Sequence, residues 1–306
     1  MEQLSQQTRM WVEFQLDGVI LSATPLKGGM SSQMTLLEIE LRSGKTDVVL
    51  REYTDTEWLG LEPDIAFQEA KNLNQAEQLS VTTPVLIAFD HKGESTTYPS
   101  LLMSKVEGEV VLKPLNVQKW TEQLALSLVK IHQFEGPTIT HQYFRYFNPD
   151  QSVTAEWSSR PEKWKRAFTY LSQRPHPADE NTFIHRDYHP TNVLFNNEEV
   201  SAVVDWTNAC IGPKQIDIAH CRWNLAMMYG QKSADLFLEA YKKASPVLDY
   251  TPYWDLEALG NVFSEDAPEV YGGWSAFGLK ELTEESMIQR MDDFLSQALK
   301  QIETTQ

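Results

Sequence analysis

Between Phe183 and Phe195 the chain reads FIHRDYHPTNVLF. Apolar residues at both ends frame a polar centre, so the segment reads as two strand ends joined by a loop. That loop carries His185, Asp187 and Asn192 at fixed spacing. Shortly after comes a second apolar run ending in a carboxylate, Val203-Val204-Asp205-Trp206. The polar stretch from Asn196 to Glu199 lies between strand-like residues and reads as a hairpin turn. With Glu198-Glu199 as the turn, Asn197 pairs with Val200, and every pair sums to 397. Asn192 then falls opposite Asp205. One loop and one hairpin would then bring Asp187, Asn192 and Asp205 into one small volume.

An amide oxygen and two carboxylates form a hard, all-oxygen donor set. It suits Mg²⁺ rather than zinc, which favours His and Cys. Mg²⁺ held this way usually completes its shell with phosphate oxygens. The chemistry these residues point to is phosphoryl transfer from a nucleotide triphosphate.

The first hundred residues read as strands with one helix. Val19 to Lys27, Met34 to Arg42, Asp47 to Tyr53, Pro84 to Asp90 and Tyr98 to Ser104 are the candidate strands. Leu37, Ile39 and Leu41 share one face, and Val49, Arg51 and Tyr53 share another. Pro63-Asp64 opens the helix, with Asp64 suited to cap it and Ile65, Glu69 and Leu73 along one side. From Asn116 the period becomes helical. Trp120, Leu124, Leu128 and Ile131 mark a stripe of core packing. Gly136 to Asn181 looks like an irregular helical insert. Helices follow around Ile216 to Tyr229, Ala234 to Lys243 and Glu284 to Ile302. Strands first and helices later argue an α+β chain of two lobes. The expected boundaries are an N-lobe over 1–104, a hinge over 105–109 and a C-lobe over 110–306.

The His185-x-Asp187-x4-Asn192 spacing followed by Asp205 resembles the catalytic signature of the protein-kinase-like fold. The detail is not that of protein kinases. His189-Pro190 stands where they carry a Lys, Asp205-Trp206-Thr207 stands where D-F-G would, and no A-P-E occurs. The run from Asp205 through Gly212-Pro213 to Ile216-Asp217-Ile218-Ala219 is similar to that of the aminoglycoside phosphotransferase and choline kinase group. The likeness spans about Leu26 to Gly230. It implies a small β-rich N-lobe with one helix and a larger helical C-lobe, with ATP (or GTP) and Mg²⁺ as cofactors.

The resemblance also implies roles. Gly28, Gly29 and Ser31 match the loop covering the phosphates. Arg51 matches the cation that holds them, and Glu69 the helix carboxylate that orients it. Leu101 to Val106 resembles the segment beside adenine, with Met103 and Lys105 as nucleotide contacts. Asp187 is the expected catalytic residue, Asn192 and Asp205 the metal ligands. His185 and Asp217 are expected to organise the loop, and His132 to be structural.

The net charge is −17, which argues against nucleic acid or an anionic membrane as partner. Two cysteines, Cys210 and Cys221, fit a reducing compartment rather than a disulfide framework. The longest apolar run is short, and the first residues lack a signal-peptide pattern, so a cytoplasmic protein is expected. Residues 247–306 carry 12 acidic side chains against 3 basic ones. Asp255, Glu257, Glu265, Asp266 and Glu269 would face a cationic acceptor there, such as an aminoglycoside. The alternatives are a solvated acidic surface, a kinase for homoserine, an amino-alcohol or a sugar, and an inactive nucleotide-binding protein.

Overall fold

The computed structural model describes residues 4–27, 32–174 and 181–305. In the N-lobe, α1 (Gln6–Leu16) precedes β1 (Val19–Pro25), β2 (Gln33–Leu41) and β3 (Gly44–Glu52). Then come α2 (Thr56–Leu61), α3 (Ile65–Ala76), β4 (Leu86–Asp90) and β5 (Ser100–Ser104). The strands form one antiparallel sheet in the order β1-β2-β3-β5-β4. Period-two alternation along β3 sets its two faces. Val48 and Leu50 join Trp11, Val12, Leu37 and Ile39 in a small core under α1. Val49 and Tyr53 join the main core, which continues into the helical lobe. Arg51 lies on that second face, paired across the ladder with Met34 and Leu101.

The N-lobe holds three helices where one was expected. In α1 only Thr8, Trp11 and Val12 are buried, while Met10 and Phe14 are exposed, so the apolar stripe is thin. No residue of α2 is buried; the Asp55 carboxylate holds it by accepting from the Glu57 and Trp58 amides, each at 3.0 Å. Asp64 stands at the start of α3 but makes no cap bond. Its carboxylate turns instead to Lys92 and His91, at 2.6 and 2.8 Å.

Residues 105–108 lead without regular structure into β6 (Glu109–Val110). Gly108 is needed there: its φ is +128°, and a Cβ would lie 2.1 Å from Ser201 Oγ. The C-lobe continues with α4 (Val117–His132), α5 (Pro161–Ser172), β7 (Asn181–Ile184), β8 (Val193–Asn196), β9 (Glu199–Val203) and β10 (Cys210–Pro213). It ends with α6 (Lys214–Tyr229), α7 (Gln231–Ala244), α8 (Pro252–Asn261), α9 (Gly272–Ala276) and α10 (Glu284–Thr305). Asn116 caps α4 by accepting from the Lys119 amide at 3.0 Å. Eight consecutive residues of α8 are buried, which leaves no amphipathic period to read from sequence. Among the described residues no helix is long and apolar enough to cross a membrane.

Candidate active site

The loop of interest runs from β7 to β8 and turns through one 3-10 turn, Pro190–Asn192. Its entry is held by Asp217 on α6. This fully buried carboxylate accepts from the His185 amide at 2.8 Å, the Arg186 amide at 2.6 Å and His132 Nε2 at 3.0 Å. Those bonds hold Arg186 at φ +65°, a region that a long side chain rarely occupies. His185 packs 4.6 Å from the Trp206 ring and meets the Val204 carbonyl through Nε2 at 2.9 Å. Burial lowers its pKa below the ordinary imidazole value, so it stays neutral.

The hairpin of β8 and β9 differs from the sequence expectation. The turn falls at Asn197-Glu198, both with positive φ, so Asn196 pairs with Glu199. A bulge before the hairpin's open end shifts the register, and Val193 pairs with Val203. The Val204 amide then donates to the Asn192 carbonyl at 2.9 Å. Asp205 is thus one residue past Asn192's partner, and its own φ of +64° turns it back. Trp206 anchors that turn, stacked 5.7 Å from Phe183, with its carbonyl accepting from Asn72 at 2.9 Å.

Asp187, Asn192, Asp205, Arg51 and Glu69 all line one cleft of about 680 Å³ between the lobes. Arg51 Nη1 lies 2.9 Å from Glu69, 2.8 Å from Asp205 and 2.9 Å from Thr207, while Nε donates to Ser32 Oγ at 2.9 Å. Burial alone would lower the Arg51 pKa; the Asp205 and Glu69 carboxylates outweigh it and hold the guanidinium well above its usual value. Burial raises the pKa of Glu69, which also accepts from the Tyr53 hydroxyl.

Asn192 Nδ2 donates to the Asp187 carbonyl at 2.9 Å and to its carboxylate at 3.1 Å. Among the described residues, Asn192 Oδ1 and Asp205 Oδ2 have no hydrogen-bond partner. Two unclaimed oxygens on neighbouring cleft residues fit a hard divalent cation. Asp205's own carboxylate stays below the usual range, because Arg51 outweighs burial.

Sequence reasoning missed the two imidazoles on Asp187. His220 Nε2 lies 3.1 Å and His189 Nε2 3.6 Å from Asp187 Oδ1. Burial would raise the Asp187 pKa; His189 and His220 outweigh it and hold it well below the ordinary carboxylate value. The signal was present in the sequence. His220 follows Asp217 by three residues, so both project from one side of a helix.

Met103 and Lys105 line the cleft, but Lys105 is paired with Asp47 and Glu107 at 3.2 Å each. Gly28, Gly29 and Ser31 lie outside the described residues; their neighbours Lys27 and Ser32 line the cleft. The acidic candidates do not gather at the site. Asp255 is buried in a two-point pair with Arg222, at 2.9 and 3.1 Å. Glu257 is buried against Arg145 at 2.8 Å and Tyr143 at 2.9 Å. Both carboxylates serve inside the lobe: Glu257 is the counter-ion of Arg145, and Asp255 shares Arg222 with Asp235, at 3.3 Å. Glu265, Asp266 and Glu269 are exposed, and Glu265 accepts from Thr154 at 2.6 Å. The C-terminal region reaches the cleft instead through Tyr271, Gly273 and Phe277.

Solved structures share this fold. A Ralstonia eutropha JMP134 protein, described as a candidate aminoglycoside phosphotransferase, superposes with a TM-score of 0.61 at 13% identity, over 95% of this chain and 97% of its own. A thermostable mutant of the aminoglycoside phosphotransferase APH(4)-Ia, bound to ADP and hygromycin B, gives 0.58 at 14% identity over 98% and 97%. Spectinomycin phosphotransferase APH(9)-Ia, bound to ADP and spectinomycin, gives 0.56 at 14% identity over 98% of each chain. No curated protein sequence matches the chain. The sequence profile of the phosphotransferase enzyme family (APH) does match, over residues 22–254, and with the kinase-like fold it places this chain in that family as a small-molecule phosphotransferase.

Proposed function

We propose that this chain transfers the γ-phosphoryl group of ATP, with Mg²⁺, to a hydroxyl of a small molecule. The observation that carries this is the convergence of Asp187, Asn192, Asp205 and Arg51 on one cleft floor. ADP complexes of the structural neighbours support the nucleotide. Arg51, oriented by Glu69, binds phosphate oxygens, as a buried guanidinium fork does well. Asn192 and Asp205 would hold Mg²⁺, which when bound neutralises charge on the phosphates. Asp187 is about one-third exposed at its side chain, within reach of both the cleft and an incoming hydroxyl. It orients that hydroxyl and takes its proton as the acceptor's O–P bond forms and the γ-phosphoryl bond to ADP breaks. A carboxylate held below its usual pKa is ionised at neutral pH and ready for that role.

The amine-bearing acceptor expected from the regional charge finds no support in the placement of Asp255 and Glu257, which serve as internal counter-ions. The test is ADP release with wild-type enzyme and Asp187→Asn over a panel of hydroxyl compounds. Acceptor-dependent, Mg²⁺-dependent ADP release that is lost in the variant is expected. A variant with near wild-type turnover would remove Asp187 from the reaction.

A further inference from the structure

A second cavity, about 130 Å³, opens beside Asp187. Asp187 lines both spaces. Its other walls include Tyr143, Tyr146, Arg186, Asn208 and His220. The space is on the order of four water volumes, enough for the reacting end of a small acceptor.

Arg186 is the unusual wall. It is 94% buried, at 6% exposure. Its guanidinium lies over three rings, 4.8 Å from Tyr143, 4.5 Å from Phe144 and 4.1 Å from Tyr146. Nη2 donates to the Phe144 carbonyl at 2.5 Å, and the Cys210 thiol is a further neighbour. Among the described residues no carboxylate lies within ion-pair distance of it. Glu62 acts on Tyr146 and His141 from the N-lobe but does not pair with Arg186. Glu257 is taken up by Arg145.

The other buried arginines of the chain, Arg51 and Arg222, each hold a carboxylate. A buried cation without one is costly, and ring faces offset only part of that cost. A guanidinium has five N–H donors in a planar fork, which matches a carboxylate or phosphate. The remaining polar walls, Asn208, Asn261, Tyr143, Tyr146 and His220, are neutral donors and acceptors or basic, and the acidic wall, Asp187, lies against His189 and His220. An ammonium group placed here would meet Arg186 at like charge.

Resting on the phosphotransferase reading above, we propose that the acceptor is a small hydroxy compound bearing an anionic group. Arg186 holds the carboxylate or phosphate in the second cavity, and this places the hydroxyl on Asp187 between the two cavities. Arg186 is a positioning and specificity residue rather than a catalytic one.

The test uses the full chain with Mg²⁺ and a non-hydrolysable ATP analogue. Calorimetry measures binding of glycerate, glycerol 3-phosphate, glycerol, choline and kanamycin, and ADP release with Mg·ATP measures turnover. Glycerate and glycerol 3-phosphate separate the carboxylate from the phosphate source. Binding and turnover of one of these two, with neither for glycerol, choline or kanamycin, is expected. Arg186→Met should weaken the anionic ligand by about tenfold or more. Arg186→Lys, which keeps the charge, should recover part of it. Thermal unfolding and Mg·ATP affinity of both variants report whether the lobe is intact; if Arg186→Met does not fold, Arg186→Lys against wild type decides on KM for the anion. Preferential turnover of choline, kanamycin or glycerol, no binding of either anion, or anion affinity unchanged in the variants would overturn the proposal. Failure of wild-type chain to bind Mg·ATP would instead remove the phosphotransferase reading beneath it.

Discussion

Arg51 Nη1 lies 2.8 Å from Asp205 Oδ1, so one guanidinium on the N-lobe sheet is tied directly to the proposed metal-ligand position of the C-lobe. The same nitrogen reaches Glu69 at 2.9 Å. Two carboxylates from different lobes therefore share one cation. Glu69 is almost wholly buried, whereas the Asp205 side chain is about one-third exposed. The Glu69 half is structural as well as orienting, and the Asp205 half faces the space a nucleotide would enter.

Removing the cation separates these two uses. Arg51→Met leaves Glu69 buried without its partner, a loss of about 3 kcal/mol in unfolding free energy. Adding Glu69→Gln removes the orphaned charge and should recover most of that stability. It should not recover activity, because nothing then binds the phosphates. Denaturant unfolding and ADP release on both variants check this. Equal stability loss in the single and double variants would show that the pair is not the source of the effect.

Asp217 secures the loop that carries Asp187. Asp217→Ala leaves the His185 and Arg186 amides without an acceptor in a dry site. Each orphaned buried donor costs about 1–3 kcal/mol, so a loss of roughly 3 kcal/mol is expected. Arg186 would also lose what holds it at positive φ. A lower melting temperature with a fall in kcat larger than any rise in the ATP KM is the expected result. A variant with wild-type melting and turnover would show that the loop is held elsewhere.

Asn192→Ala and Asp205→Ala act through the same pair of unclaimed oxygens. Each should raise the Mg²⁺ concentration needed for half-maximal ADP release. The double variant should lose little more than the worse single one, because interacting groups are not additive. Independent, fully additive losses would show that the two oxygens do not serve one ion.

The parts of this architecture legible in the sequence were those written as local pattern. The alternation of β3 set Arg51 on the face of Tyr53, and the i, i+4, i+8 series of α3 set Glu69 on its buried side. The spacing of Asp187 and Asn192 named a loop that the structure bends into one turn. The register of the β8–β9 hairpin departs from the expectation through a turn at the positive-φ pair Asn197-Glu198 and a bulge where Phe195 pairs with Val200 and Leu194 with Ala202, and the sequence announces neither. Helix α8 escaped because it is buried all round, and Asp255 and Glu257 escaped as ion-pair partners because Arg222 and Arg145 lie far away in sequence. Long-range pairing of charges is a property of packing, and local charge counts do not carry it.

The acidic C-terminal stretch now divides into two kinds of residue with opposite expected behaviour. Glu265, Asp266 and Glu269 are exposed and line neither cavity. Neutralising all three, as Gln, Asn and Gln, removes charge that solvent and salt already screen beyond about 8 Å. The acceptor KM should stay within about twofold and stability within about 0.5 kcal/mol. Glu257 differs, since it is fully buried and neutralises Arg145 beside Tyr143, a wall of the second cavity. Glu257→Gln should destabilise the lobe by about 3 kcal/mol, because an arginine is left without its carboxylate. Thermal unfolding together with acceptor KM at two salt concentrations separates the two classes. A strong rise in acceptor KM from the exposed triple variant, abolished by salt, would mean that this acidic surface guides a cationic acceptor after all.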